Sequence, residues 1–421
     1  MKILVCGASG FIGQHLCVSL VKAGHEVVHG VRKPERPSDV AMDYGRDLDP
    51  ETWLPRLAGV DAVINAVGIL QEIGQRRFDA IHRDAPIALF KACEMAGVRR
   101  VIQISALGGA NEMGSTLYMR SKREADAYLR QTSLDWSILR PSLIVGADGA
   151  SSRLFRVFAS LPVIGLPGKG LQLLQPVHID DICAAVLNLL ESSEPTRQVI
   201  AAVGPEAMTY RGMLQAYRDA MQLAPPIWLP VPMFFMNMAA WLAALFPASV
   251  LSPVSLRMLE EGNVADSAKF SRLLGHKPRG ADAWFSGLSP DMLRTQAIAA
   301  WSLPLFRLAL ALVWIITGVL SLGIFPVDQS LDLLRRVGLH NVVADIALYG
   351  AALLDLAFGL ATLLASGRLL WRLQMALIAG YTIIISIFLP EYWLHPFGPI
   401  LKNIAILALL IVLDAFETRK G

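Results

Sequence analysis

Two hydrophobic rhythms divide the chain. Up to about residue 299, short apolar runs alternate with stretches whose apolar residues recur every three or four positions, with glycine-rich turns between them. Ile3–Cys6 is a run of strand length, and Leu16, Leu20 and Val21 mark one face of a helix that stops at Gly24. Glu26–Val31 is the next strand, and the alternation returns in "DAVINAVG", "VRRVIQIS" and "DWSILRPSLIVG". That order predicts an α/β domain built on a doubly wound parallel sheet. Farther on, "TYRGMLQAYRDAM" reads as an amphipathic helix with Thr209 as N-cap, and in "VHIDDIC" Asp181 reads as an N-cap and His178 as structural.

Beyond Trp301 the alternation stops. Leu303–Phe325, Ile346–Ala365, Leu373–Leu389 and Pro396–Leu413 are apolar stretches, each near the roughly 20 residues that cross about 30 Å of hydrocarbon. Residues 300–421 are therefore expected to form an all-α four-helix transmembrane bundle. With the first domain in the cytoplasm, Arg368, Arg372, Arg419 and Lys420 fall inside. Arg335 and Arg336 then fall outside, in a short amphipathic helix with Asp328 and Asp332. A further charge-free segment, residues 227–250, has a central run (Met233 to Phe246) too short to span. It reads as an interfacial or re-entrant helix with Trp228 and Trp241 at headgroup level, a buried core helix being the other reading.

Composition adds three limits. A formal charge of +3 with no basic cluster argues against a nucleic-acid partner, and no zinc-type Cys/His spacing points to a metal. Cys6, Cys17, Cys93 and Cys183 show no close pairing, which suits a reducing compartment. After Met1-Lys2 the run ILVC is too short for a signal peptide. The expectation is a multi-pass protein of a bacterial-type inner (plasma) membrane, in contact with the lipid bilayer.

The turn after the first strand carries Gly7, Gly10 and Gly13. Between a strand and a helix, such glycines give a tight turn, close approach of a pyrophosphate to backbone N–H groups, and close helix–sheet packing. The spacing G-x-x-G-x-x-G resembles that of the short-chain dehydrogenase/reductase (SDR) superfamily, and the resemblance extends over about residues 1–290. It implies a Rossmann-type fold in which residues from about 205 to 295 form a small substrate subdomain. It further implies that Gly7, Ser9, Gly10, Phe11, Ile12 and Gly13 hold the cofactor pyrophosphate. Asp47 and Leu48 would lie near the adenine, Asn65, Ala66, Val67 and Gly68 would line the cofactor, and the Arg140-Pro141-Ser142 loop would flank the nicotinamide. At the end of the second strand, where an NAD site carries a carboxylate, stand Arg32, Lys33 and Arg36. Cations there suit a 2′-phosphate, so NADP(H) is favoured over NAD(H).

"LYMRSKREAD" places Tyr118 and Lys122 on one face of a helix. In SDR enzymes this pair is the acid/base and its partner: the ammonium draws the phenol pKa down and binds the nicotinamide ribose. The family's hydroxyl position after the fourth strand falls on Ala106, with Ser105 one residue earlier as the remaining catalytic candidate; Ser115 or Thr116 could substitute. "RDAPIALFKACEMAGVRRVIQISALG" resembles the atypical SDR branch that includes the NADPH-binding 39-kDa accessory subunit of mitochondrial complex I. The resemblances leave three functions open: an oxidoreductase acting on a lipophilic quinone, isoprenoid or lipid; a cofactor-holding structural, assembly or sensor protein of a membrane complex; and an epimerase or dehydratase that retains its nicotinamide. A homo-oligomer is compatible with each.

"HPFGPILKNIAIL" resembles the DoxX-like family of four-helix membrane proteins over about 305–415. Within that region Asp355, Lys402 and Glu391 are the ionisable residues to explain. Asp355 is expected to face the bundle interior, with Lys402 either its partner or snorkelling to the interface.

Overall fold

The computed structural model describes all residues except 73, 75, 109–115, 244–252 and 418–421. The chain divides into two units, Met1–Ala297 and Ile298–Gly421. Ser115, the end of the 227–250 segment, Arg419 and Lys420 lie outside the described residues.

The first unit is built on a seven-stranded, all-parallel sheet. Its strands are β1 (Lys2–Cys6), β2 (Glu26–Val31), β3 (Asp39–Ala41), β4 (Ala62–Asn65), β5 (Arg100–Ile104), β6 (Asp135–Pro141) and β7 (Gln198–Ala202), in the spatial order β7-β6-β5-β4-β1-β2-β3. The order reverses beside β1, the place where open α/β sheets bind ligands at their strand C-termini. Alternation along β1 sends Ile3 and Val5 to one face and Leu4 and Cys6 to the other, and all four are buried. The helices of the two faces include α1 (Phe11–Lys22), α2 (Ala85–Ala96), α3 (Leu117–Leu129) and α5 (Ile179–Glu191), while α4 (Ala150–Ser160) packs into a separate core. Leu16 and Leu20 of α1 pack with Ile182 and Val186 of α5, while Leu89 and Phe90 of α2 pack opposite with Ala125 of α3.

The start of α5 corrects one expectation. Its N-cap is His178, whose Nδ1 accepts the Asp180 N–H at 3.3 Å. Asp181 sits inside the first turn, fully buried, and pairs with the Arg279 guanidinium. The helix begins three residues earlier than a cap at Asp181 requires. Thr209 does cap its helix, α6 (Tyr210–Ala220), accepting the Gly212 N–H at 3.0 Å.

A second core, with Ile164, Leu166, Tyr217, Trp284 and Phe285, organises the region after β6. Here Ile227–Val231 is a strand paired in parallel with Val163–Pro167. It leads into α7 (Met233–Ala243), which is followed by α8 (Pro253–Glu261). Of the α7 side chains only Ala240 is buried, so the buried-core reading of this segment does not hold for these residues.

The second unit is helical. Among the described residues three stretches are long and apolar enough to cross a membrane: Pro290–Ile324, whose first residues belong to the first unit, Val342–Leu364 and Arg368–Phe388. The fourth expected span is a helix of only 16 residues, Leu401–Phe416, about 24 Å long at 1.5 Å per residue. Gly398 at φ +52° and Pro399 keep the preceding residues in a turn and delay the helix. Val327–Arg336 forms the expected amphipathic helix, and Arg336 pairs with Glu391. A Cβ on Gly359 would lie 2.5 Å from Ile315 and one on Gly318 2.8 Å from the Ala352 carbonyl. These helices therefore approach through small residues. Trp314 Nε1 donates to Gln374 Oε1 at 2.7 Å, and Gln374 Nε2 donates to Thr362 Oγ1 at 2.9 Å. Asp355 is buried, as expected of an intramembrane carboxylate, but Lys402 is exposed and the two form no pair.

Candidate active site

The β1–α1 turn is a cradle that side chains would fill. Gly7 has φ +83°, and a Cβ there would come within 3.1 Å of Val67 and 3.2 Å of Ala66. A Cβ on Gly13 would lie 2.1 Å from the Gly7 carbonyl, so α1 can start this close to the turn only with glycine there. Gly10 occupies the N-cap and supplies no side chain to cap the helix. The first-turn N–H groups at Phe11, Ile12 and Gly13 have no intrahelical acceptor, and the helix dipole makes this end positive. Ser9 is exposed beside them. This arrangement fits a dinucleotide pyrophosphate.

The turn opens on a cavity of about 790 Å³. Gly10, Phe11 and Ile12 form one wall, Ala66, Val67 and Gly68 after β4 another, and Ser105, Ala106, Tyr118, Lys122 and Pro141 the end. The far wall is apolar, with Leu154, Phe155, Phe158, Leu161 and Ile164 from the α4 region and Met236, Leu256 and Leu259 from α7 and α8.

Thr116 caps α3 by accepting the Met119 N–H at 3.2 Å, and the first turn then presents Tyr118 and Lys122 on the same side. Lys122 Nζ lies 5.8 Å from the centre of the Tyr118 ring and donates to the Ile104 carbonyl at 3.3 Å. Burial pushes the Tyr118 phenol up to about 12. Burial also draws Lys122 down to about 8, against the pull of Asp126. The expected lowering of the phenol by the ammonium is thus outweighed, in this arrangement, by loss of solvent around the ring.

Residues 7–158 match the family model described as NAD(P)H-binding, and residues 311–411 match the DoxX-like family. An NAD(P)H-binding Rossmann domain is joined to a DoxX-like one. Over 248 residues the chain is 28% identical to the Arabidopsis thaliana mitochondrial NADH dehydrogenase [ubiquinone] 1 alpha subcomplex subunit 9, covering 54% of this chain and 60% of that protein. The mouse protein of the same name is 26% identical over 59% of this chain and 68% of its own length. A ceramide reductase from Caulobacter vibrioides is 28% identical over 46% of this chain and 65% of that protein. Among solved structures, UDP-glucuronic acid 4-epimerase from Bacillus cereus in complex with NAD aligns with a TM-score of 0.53 at 19% identity, over 70% of this chain and 100% of that one. At that identity the likeness is one of fold.

Not every sequence-predicted position of the NAD(P)H-binding domain presents a free polar group to the cavity. Asn65 is buried: its Oδ1 accepts from Tyr44 Oη at 2.9 Å and from the Val67 N–H at 3.2 Å, and its Nδ2 donates to Gln103 at 2.8 Å. It shapes the loop that presents Ala66 to Gly68 instead of lining the site. The Asp47 carboxylate is taken by Arg56 Nη1 at 2.6 Å and the Asp43 N–H at 2.6 Å, while neighbouring Leu48 is exposed. The Ser105 hydroxyl donates to Asp126 Oδ2 at 2.9 Å, so it is committed to a buried carboxylate and not left for a substrate oxygen. Ala106 packs with Phe78, Tyr118 and Met119. Arg32, immediately after β2, is exposed, as are Lys33 and Arg36.

Two contributors escaped the sequence reading. His82 lies in a π-helical stretch, Asp79–Asp84, and is 1% exposed. Its Nε2 accepts the Ile69 N–H at 3.0 Å, which puts the ring proton on Nδ1, 3.3 Å from Ser121 Oγ. Ser121 Oγ in turn donates to the Tyr118 carbonyl at 3.0 Å. The imidazole meets the Tyr118 ring edge-on at 5.1 Å and stacks on Phe78 at 5.5 Å. Burial, then the Lys122 charge, lower its pKa to about 2, so it holds the tyrosine as a neutral ring. The Phe78/His82 spacing of four was the available signal. Asp126 is the second: buried, it gathers Ser105, Arg140 Nε at 3.0 Å and Arg123 Nη1 at 3.6 Å.

Proposed function

We propose that the chain is a membrane-anchored, NADP(H)-dependent oxidoreductase acting on a carbonyl or alcohol carried by a lipophilic molecule such as a quinone, isoprenoid or lipid. One observation carries the reading: a single cavity sets Tyr118 and Lys122 between the glycine-turn wall and the apolar wall of Phe155, Phe158 and Leu161. A bound nicotinamide would supply or accept the hydride. Tyr118 gives its phenolic proton to the substrate oxygen, or takes it back in the reverse direction. Lys122, charged below about pH 8, stabilises the phenolate that remains and binds ribose hydroxyls. Gly7, Gly10 and Gly13 leave the N–H groups of the turn open to the pyrophosphate, and Arg32 meets the 2′-phosphate. The name of the Caulobacter relative, a ceramide reductase, supports a lipid-borne substrate. A nicotinamide cofactor supports a position of this domain on the cytoplasmic side of the membrane.

A second reading is a cofactor-holding component of a membrane complex. Ala106 in the hydroxyl position and the commitment of Ser105 to Asp126 favour it. So does the name of the NADH dehydrogenase relatives. Tyr118→Phe separates the two. Full-length protein is loaded with NADPH, mixed with a membrane lipid extract, and its absorbance followed. Oxidation by wild type that is lost in Tyr118→Phe, with NADPH affinity retained, supports the enzyme. Retained NADPH with no oxidation in wild type supports the second reading.

A further inference from the structure

Helix α7 is divided between two surroundings. Met236 reaches the cavity, and α8 contributes Leu256, Met258 and Leu259 to the same wall. Five other large side chains of α7 stand in the open: Phe234, Phe235, Met238, Trp241 and Leu242 are 48–73% exposed. The strand before it adds Ile227 and Leu229, both more than half exposed. No charged residue occurs between Ile227 and Leu256. A soluble domain rarely leaves so continuous an apolar surface uncovered. A protein-binding patch carries a polar rim with charges for specificity, and this segment supplies none of its own. A bilayer needs no such rim, and the chain carries its own membrane-crossing helices, so a bilayer is always within reach of this domain.

We infer that the outer face of α7 docks in the headgroup layer of the bilayer, so that one helix touches the membrane on one side and the substrate cavity on the other. The helix is 11 residues long, too short to cross and suited to lying flat. This deepens the proposed function, on which it rests for the nature of the substrate, by naming the source: a lipid that leaves the interface beside the cavity wall.

The test needs no turnover. All four native cysteines are buried, so Met238→Cys in the full chain takes a thiol-reactive NBD label selectively. The labelled protein is reconstituted into phosphatidylethanolamine–phosphatidylglycerol vesicles, with doxyl groups either near the headgroup or at the chain end. The expected result is a blue-shifted emission, quenched most strongly by the headgroup-proximal doxyl and little by aqueous iodide. A label at Val18 on α1, which is 55% exposed, should stay open to iodide. Iodide quenching at position 238 overturns the inference, and so does strongest quenching from the chain end. Protection from every quencher also overturns it, because the face is then covered by protein, either a second copy or the chain's own helices. The double substitution Phe235→Glu/Trp241→Glu should restore iodide quenching while NADPH binding is unchanged, which shows the fold intact. Failure of lipid turnover with docking intact would count against the proposed function alone.

Discussion

Two buried aspartates show how differently the two units treat a carboxylate. Asp126, in the NAD(P)H-binding domain, is 1% exposed and has Ser105, Arg140 and Arg123 around one of its oxygens. Burial pushes its carboxyl up, and those three partners offset part of the rise. Asp355, in the DoxX-like domain, is 5% exposed and has no hydrogen bond or ion pair with any described residue. In the first unit the acid is the keystone of a charge cluster behind the Tyr118 pair. In the second it stands alone among helices that meet through glycine. The lesson is that burial by itself says little about a charged residue, and the partners decide what its removal costs.

The largest expected effect breaks the comparison directly. Asp126→Asn keeps the shape but takes away the buried counter-charge that Arg140 contacts, at a cost of about 3 kcal/mol. Asp355→Asn removes no ion pair and relieves a buried carboxylate that has no partner among the described residues, so it should not lower stability. Thermal unfolding of the two variants in the same detergent measures both. Equal losses would mean that Asp355 has a partner after all.

Lys122 sharpens the contrast from the cationic side. Its folded pKa, about 8, is below the ordinary 10.5. The unfolded chain therefore binds more protons between those values, and stability from this group rises with pH across that window. At neutral pH the buried ammonium is a burden, and Lys122→Met should stabilise the cofactor-free protein by up to about 3 kcal/mol while weakening NADPH binding. In wild type, NADPH affinity should fall as pH passes about 8, and in Lys122→Met that step should be missing. A fluorescence titration across pH reads both.

The smallest effect concerns an exposed cation. Arg32→Asp should cost NADPH about 1–2 kcal/mol, roughly tenfold, and leave NADH affinity nearly unchanged. An equal loss for both cofactors would remove Arg32 from the 2′-phosphate.

The parts of this structure that were legible in the sequence are those whose constraint is local. Gly7, Gly10 and Gly13 are demanded by a single turn, and Tyr118 and Lys122 share one helical face, so spacing alone exposes them. Contacts between distant segments left no such trace. His82 reaches Ser121 across 39 residues, and Asp181 is claimed by Arg279 across 98, which is why Asp181 read as a cap. The fourth apolar stretch misled for the opposite reason. Its hydropathy was counted through Gly398 and Pro399, and hydropathy does not register where a helix begins.

The π-helical turn at Asp79–Asp84 has an evolutionary corollary. Such a turn is an α-helix carrying one extra residue. Loss of a single codon between His82 and Ala85 would let the segment relax to regular α pitch. Everything before the deletion would then keep nearly its place relative to α2, because the widened turn had already absorbed the extra residue. Only the residues inside the turn, His82 among them, would change place, so one lost codon would remove the ring that meets Tyr118 edge-on and leave its neighbours where they are.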